Sequence, residues 1–173
     1  MSSPGIRAGE ERDLADLARI YNHYIVTTPI TFDTQVFTVE QRRPWFDDFA
    51  TSGPHRLFVA EISDRAVGYA SSRQFRAKPA YDQSVETTIY LDPDFVGRGI
   101  GPRLYGVLLE AIRSEASVHR ACGGITLPNP GSIALHERIG FSPVGTFREV
   151  GFKFGRYWDV RWYEKDVSGQ NSA

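Results

Sequence analysis

From Leu14 the apolar residues Leu14, Leu17, Ala18, Tyr21, Tyr24 and Ile25 recur at three- and four-residue intervals, which predicts a helix with one buried stripe. Thr38 and Gln41 form a capping-box pair and predict a second short helix, one that Pro44 distorts or shortens. Residues 56–62 read as a strand, Ser63, Asp64 and Arg65 as a turn, and 67–75 as the returning strand of a hairpin. The segment 84–91 alternates, with Val85, Thr87, Ile89 and Leu91 on one face and Glu86, Thr88 and Tyr90 on the other. A glycine-rich loop then leads into the helix with the longest apolar face, carrying Ile100, Leu104, Val107, Leu108, Ala111 and Ile112. A strand through 125–127, a short helix over about 132–139 and strands near 144–148 and 157–166 complete the pattern. This mixed order of strands and helices predicts a three-layer α/β fold with a partly antiparallel sheet.

The chain shows no internal repeat and no low-complexity linker, so residues 1–173 read as one domain, with a core over about 6–166 and a flexible tail at 167–173. Its 41% hydrophobic and 24% charged residues are those of an ordinary soluble globular protein. A formal net charge of −1 gives no general attraction to nucleic acid or anionic lipid, so any anionic ligand must be gripped locally. Cys122 is the single cysteine, which rules out an internal disulfide framework and fits a reducing compartment. No apolar run resembles a signal peptide or a membrane span, and a cytoplasmic protein is expected. The histidines His23, His55, His119 and His136 lack metal-ligand spacing, so no metal is expected.

The loop Val96, Gly97, Arg98, Gly99, Ile100 and Gly101 lies between a strand and a helix, where backbone N–H groups and the helix dipole can converge on an anion. Glycines let the backbone adopt unusual dihedrals and let oxygens come close. Pro102 suits the first helical turn. The same loop would serve equally as a tight strand-to-helix turn. A P-loop would need Gly-Lys-Ser or Gly-Lys-Thr, which is absent, and a dinucleotide fold would place its glycine turn near the chain start.

Tyr90-Leu91-Asp92-Pro93 running into Gly97-Arg98-Gly99-Ile100-Gly101 resembles the acetyl-CoA motif of the GNAT N-acetyltransferases. Tyr21-Asn22-His23-Tyr24-Ile25, Thr31-Phe32, Ala80-Tyr81-Asp82, Val85-Glu86, Leu127-Pro128-Asn129, Leu135-His136-Glu137 and Gly151-Phe152-Lys153 resemble the branch that acetylates phosphinothricin and methionine sulfone or sulfoximine. The resemblance spans about residues 6–164 and implies the GNAT fold, a mixed and mostly antiparallel central sheet flanked by helices. It implies acetyl-CoA as cosubstrate, with the backbone of Ile89, Tyr90 and Leu91 along the pantetheine arm. Residues Val96, Gly97, Arg98, Gly99, Ile100 and Gly101 would hold the pyrophosphate, and Asn129 would hydrogen-bond the same arm. The family loop usually opens with Gln or Arg; Val96 stands there instead, which removes a side-chain contact but keeps the backbone donors. A homodimer is implied as well, with Trp158 and Trp162 as interface candidates.

Amine acetylation needs a neutral amine, stabilisation of an oxyanion and a proton for the departing thiolate. By pattern alone Glu86 is either a solvent-facing acid or a carboxylate partly withdrawn from water and made more basic; the resemblance assigns it the general base. His136 stands where many family members carry a tyrosine, and it is either a structural histidine or the proton donor. Unpaired amides of Ile89 to Leu91, exposed where the sheet splays in such folds, would stabilise the oxyanion. Cys122 has no basic partner in sequence, and transfer is expected to be direct. Phe32, Phe75, Arg76, Tyr81, Val85 and Thr87 are the further substrate-site candidates, the arginine among aromatics suiting a carboxylate-bearing amino acid. A small amino-acid-like amine is therefore the expected substrate. Acetylation of a protein N-terminus or another amine, and a non-catalytic acyl-CoA sensor, are the competing functions.

Overall fold

A computed structural model describes residues 4–169. Among them a single sheet runs in the order β1-β2-β3-β4-β5-β7-β6. Its strands are β1 (Gly5–Ala8), β2 (Leu57–Ile62), β3 (Arg65–Gln74), β4 (Ser84–Leu91), β5 (Arg120–Thr126), β6 (Ser142–Lys153) and β7 (Arg156–Asp166). All neighbours pair antiparallel except β4 with β5. The helices are α1 (Leu14–Thr27), α2 (Val39–Asp47), α3 (Ile100–Arg113) and α4 (Pro130–Arg138).

Because side chains alternate along a strand, β2 feeds two cores. Phe58 and Ala60 pack beneath α3 with Leu104, Leu108 and Ile112, whereas Leu57 and Val59 meet Leu17 and Ile20 of α1 on the opposite face. Burying a leucine such as Leu108 contributes about 1.5–3 kcal/mol. The expected stripe on α3 needs one correction: Val107 is exposed, and Tyr105 and Leu109 are buried instead. The expected capping box is formed, Gln41 N–H donating to Thr38 Oγ1 and Thr38 N–H to Gln41 Oε1. Pro44 does not end α2, which continues to Asp47.

Three differences from the sequence pattern matter for the site. Strand β1 has only four residues and no alternation to reveal it; its place is fixed by pairing with β2. Strand β6 runs well past the expected 144–148 to Lys153, through a bulge at which Glu149 adopts a positive φ of 53°. The far end of the β6–β7 arm thereby reaches the segment after α1, where Lys153 Nζ donates to the Thr31 carbonyl at 2.7 Å and Gly151 leaves room for the Phe32 ring. Finally, Val167, expected in the tail, is buried and donates its N–H to the His119 carbonyl. Residues 170–173 of that tail lie outside the described residues.

Candidate active site

Strand β4 is followed on one side by β3 from Val85 to Leu91, but on the other side by β5 only at Ser84, Val85 and Glu86. Beyond Glu86 the two parallel strands part, because β5 continues alongside β7. Asp92 N–H bonds to the Val67 carbonyl, and the register Tyr69↔Tyr90, Ser71↔Thr88, Arg73↔Glu86 follows from it. In an antiparallel ladder alternate residues turn their backbone groups to opposite sides. Glu86, Thr88 and Tyr90 thus face β3 with their amides, and Thr87, Ile89 and Leu91 face the gap left by β5. The Leu91 carbonyl is taken by the Tyr24 hydroxyl at 2.7 Å. The N–H groups of Ile89 and Leu91 remain directed at the opening; the Tyr90 amide, expected to join them, is turned to β3.

At the end of β4, Asp92 caps a short turn and the chain enters the glycine loop. Gly97 and Gly99 adopt φ of 79° and 73°, a left-handed conformation that side chains other than glycine's tolerate poorly, and Gly99 caps α3. A Cβ built on either glycine would meet nothing within 4 Å, so open space lies in front of the loop. The N–H groups at the start of this 14-residue helix give the cradle its positive end. Ile89 and Leu91 pack close behind it at Gly101. These residues fit a diphosphate held at the helix end, with its attached chain running past β4.

On the face carrying Glu86 lies a cavity of about 390 Å³. Glu86, Thr88 and Tyr90 line it from β4, and Tyr69, Ser71, Arg73 and Gln74 line it from β3. Tyr21 of α1, Arg42 and Trp45 of α2, and Asp33 close the remaining sides. Burial raises the Glu86 carboxyl above its ordinary range, while the charges of Arg76 and Arg73 oppose that rise. The Tyr21 hydroxyl donates to Asp33 Oδ2 at 2.5 Å, and its own pKa is pushed up to about 12 chiefly by burial.

Of the other expected residues, Val85 and Thr87 point away from this cavity. Val85 is in the core under α3, and Thr87 Oγ1 sits 2.6 Å from the Tyr105 hydroxyl. Phe75, Arg76 and Tyr81 form a cluster with Trp162 beside the cavity rather than in its wall, Phe75 lying 5.8 Å from Trp162 and the Arg76 guanidinium 4.3 Å above Phe75. Phe32 packs on Gly151 and is also outside the lining. Asn129 caps α4, its carboxamide oxygen accepting from Ser132 N–H at 3.1 Å, which leaves its amide NH₂ as the group able to reach a pantetheine chain.

His136 is 4% exposed. Its Nδ1 lies 2.8 Å from the Ser132 carbonyl and its Nε2 3.2 Å from the Tyr105 hydroxyl. Burial lowers its pKa, so the ring is neutral at neutral pH, and the carbonyl contact requires the proton on Nδ1. Nε2 is therefore the acceptor facing the Tyr105 hydroxyl, whose oxygen lies 2.6 Å from Thr87 Oγ1, and Thr87 Oγ1 donates to the Cys122 carbonyl at 3.1 Å. Gly123 of β5 makes this possible, since a Cβ there would stand 3.0 Å from Nε2.

The cavity residues missed in sequence are Tyr21, Asp33, Arg42, Trp45, Tyr69, Ser71, Arg73, Gln74 and Thr88. Only Thr88 carried a direct signal, sharing a face with Glu86. Arg42 carried a faint one, three residues before Trp45 on the same helix.

The sheet thus opens beside a half-buried acid and leads into a glycine loop that caps a helix. The acetyltransferase (GNAT) domain profile matches residues 6–162, and the chain belongs to that family. As a member it is an N-acetyltransferase with acetyl-CoA as cosubstrate. The chain is 55% identical over 164 residues to phosphinothricin N-acetyltransferase of Streptomyces coelicolor, covering 94% of this chain and 95% of that one. It is 30% identical over 171 residues to the L-methionine sulfoximine/L-methionine sulfone acetyltransferase of Pseudomonas aeruginosa, covering 99% of each. A GNAT superfamily phosphinothricin acetyltransferase from Sinorhizobium meliloti, solved with acetyl-CoA, superposes with a TM-score of 0.92 at 26% identity, covering 99% of this chain and 92% of that one.

Proposed function

We propose that the chain acetylates the α-amino group of a small amino acid such as phosphinothricin, methionine sulfone or methionine sulfoximine, with Glu86 as general base. The carrying observation is the position of Glu86, half-buried in a cavity of amino-acid size at the rung where β4 loses β5. Glu86 takes a proton from the ammonium group, directly or through water. The freed amine forms its C–N bond to the acetyl carbonyl in the opening. The carbonyl oxygen, gaining charge, is met by the N–H of Ile89 or Leu91. The C–S bond then breaks as the carbonyl re-forms, the nitrogen gives up its second proton, and the departing thiolate takes that proton up. In this reading His136 acts behind Tyr105 and Thr87 rather than on the sulfur itself.

Exposed apolar side chains along the β6–β7 arm, Val144, Phe147, Val150 and Phe152, support a homodimer through this arm. Trp158 and Trp162 are half-buried within their own chain, Trp158 donating Nε1–H to the Lys153 carbonyl.

Purified protein, acetyl-CoA and a panel of amino acids and short peptides test the reading by release of free thiol. Rapid release with the three named amino acids is expected. Peptides outpacing every free amino acid would move the function to protein N-termini, and background release with all amines would leave an acyl-CoA binder.

A further inference from the structure

Arg42 is 8% exposed and lines the cavity wall, yet its Nε–H has no hydrogen-bond partner. Its guanidinium carbon lies over two aromatic rings, 4.1 Å from the Tyr21 centroid and 3.8 Å from that of Trp45. The rings hold the cation but offer its N–H groups no acceptor oxygen, which leaves those groups to meet another partner. Among the described residues no ion pair neutralises it; Asp33, the nearby cavity acid, accepts instead from Tyr21. Beside it the Tyr69 hydroxyl, on a residue 1% exposed, also lines the cavity and makes no hydrogen bond, and the neighbouring Arg42 guanidinium, which only donates, offers its proton no acceptor. Two buried polar groups unmatched at one end of one cavity are unusual in a folded protein. A ligand supplying oxygen acceptors there would satisfy both.

The register places that end away from the amine. Arg73 lies directly opposite Glu86, whereas Tyr69 lies opposite Tyr90, four residues and about 13 Å further along the strand. Arg73 is ion-paired to Asp48 and half-exposed, standing beside the reacting end. We infer that Arg42, with Tyr69, receives an oxygen-bearing head group at the far end of the substrate's side chain, such as a phosphinate, sulfone or carboxylate. The inference rests on the preceding one, that an amino acid lies in this cavity with its amine at Glu86. It adds that the enzyme selects its substrate by the head of the side chain and not by the α-amino acid moiety alone. An apolar side chain of equal length would leave both groups unmatched, and sites built to hydrogen-bond a ligand reject analogues lacking the bond strongly.

The test compares kcat/KM for phosphinothricin with that for norleucine, a chain of similar length without the head, in the wild type, Arg42→Gln and Arg42→Lys. Wild type should prefer phosphinothricin by about 100-fold or more. Arg42→Gln should shrink that preference by about tenfold or more, mainly through KM, and Arg42→Lys should retain part of it. Acetyl-CoA calorimetry and melting curves verify that the variants fold. Equal wild-type kcat/KM for the two substrates overturns the inference without needing any variant. So does a variant that loses both activities in equal proportion. A third arm uses 3-aminopropyl(methyl)phosphinic acid, which has the head but no α-carboxylate; if Arg42→Gln abolishes discrimination against this compound instead, Arg42 reads the carboxylate and the inference fails. Wild type inactive on every α-amino acid, while active on peptides, would remove the amino-acid reading itself and this inference with it.

Discussion

Replacing Glu86 by Gln keeps the side chain's shape and removes its titration, and the structure makes opposite predictions for rate and for stability. Burial is the larger influence on this carboxyl and raises its pKa, with Arg76 and then Arg73 opposing it. A base moved up towards the working pH contributes about 10²–10⁴ to rate, or roughly 3–5 kcal/mol of barrier. Glu86→Gln should lose that factor in kcat/KM, with acetyl-CoA affinity preserved because the cradle lies beyond β4. The wild-type rate should rise with pH through a limb above the ordinary carboxylate range, and that limb should vanish in the variant. For stability, a carboxyl whose folded pKa exceeds its unfolded one binds its proton more tightly when folded. Its stabilising contribution is complete below the unfolded value and is lost as pH rises through the folded value. At neutral pH the ionised Glu86 is therefore a net cost, and Glu86→Gln should melt at the wild-type temperature or above. That advantage should fade as the pH falls to the carboxylate range. Thiol-release kinetics across pH and calorimetric melting at acid and neutral pH provide both readouts. A rate loss below about tenfold, or a variant less stable than wild type at neutral pH, would refute the assignment.

Gly99→Ala must hold a left-handed φ of 73° at the mouth of the cradle, a strain of about 1–2 kcal/mol for a residue with a Cβ; acetyl-CoA binding by calorimetry should weaken about tenfold or more, and unchanged affinity would remove the loop from the coenzyme site. Tyr105→Phe deprives Thr87 Oγ1 and His136 Nε2 of their shared partner, a loss of about 1–3 kcal/mol. At about 2–4 °C per kcal/mol for a chain of this size, Tm should fall by roughly 2–12 °C; if His136 serves the thiolate through this link, kcat should fall more than KM changes. Leu108→Ala, at a site with no solvent exposure, should cost about 2–5 kcal/mol in chemical denaturation with kcat little altered.

Elements with a dense local period were legible in the sequence. The Ser84–Leu91 alternation put Glu86, Thr88 and Tyr90 on one face, and that face is the cavity wall. The glycine loop was legible because positive φ leaves a compositional trace at Gly97 and Gly99. Strand β1 left none, being four residues held by β2. Arg42 looked like one charge among the polar residues of a short helix; its burial comes from Tyr21, brought in by α1. The aromatic and basic residues near Phe75 were near Glu86 in sequence, but Trp162 of β7 draws them into a neighbouring cluster.

The opening between β4 and β5 belongs to the same kind of long-range fact, and the proposed chemistry depends on it. Nothing within Ser84–Leu91 distinguishes the part that pairs with β5 from the part that does not. The divergence is set by β5 keeping its full register with β7, from Arg120↔Asp166 to Thr126↔Val160, while β4 keeps its own with β3. Gly123 and Gly124 lie just past the last shared rung, and their lack of side chains admits His136 and Trp162 against the parting strand. A side chain at Gly123 would press on His136 Nε2 and, through Tyr105 and Thr87, on the strand that carries Glu86. In the proposed reaction the residues that would keep the thioester's path open are thus on the strand that leaves, while the proposed base is on the strand that stays.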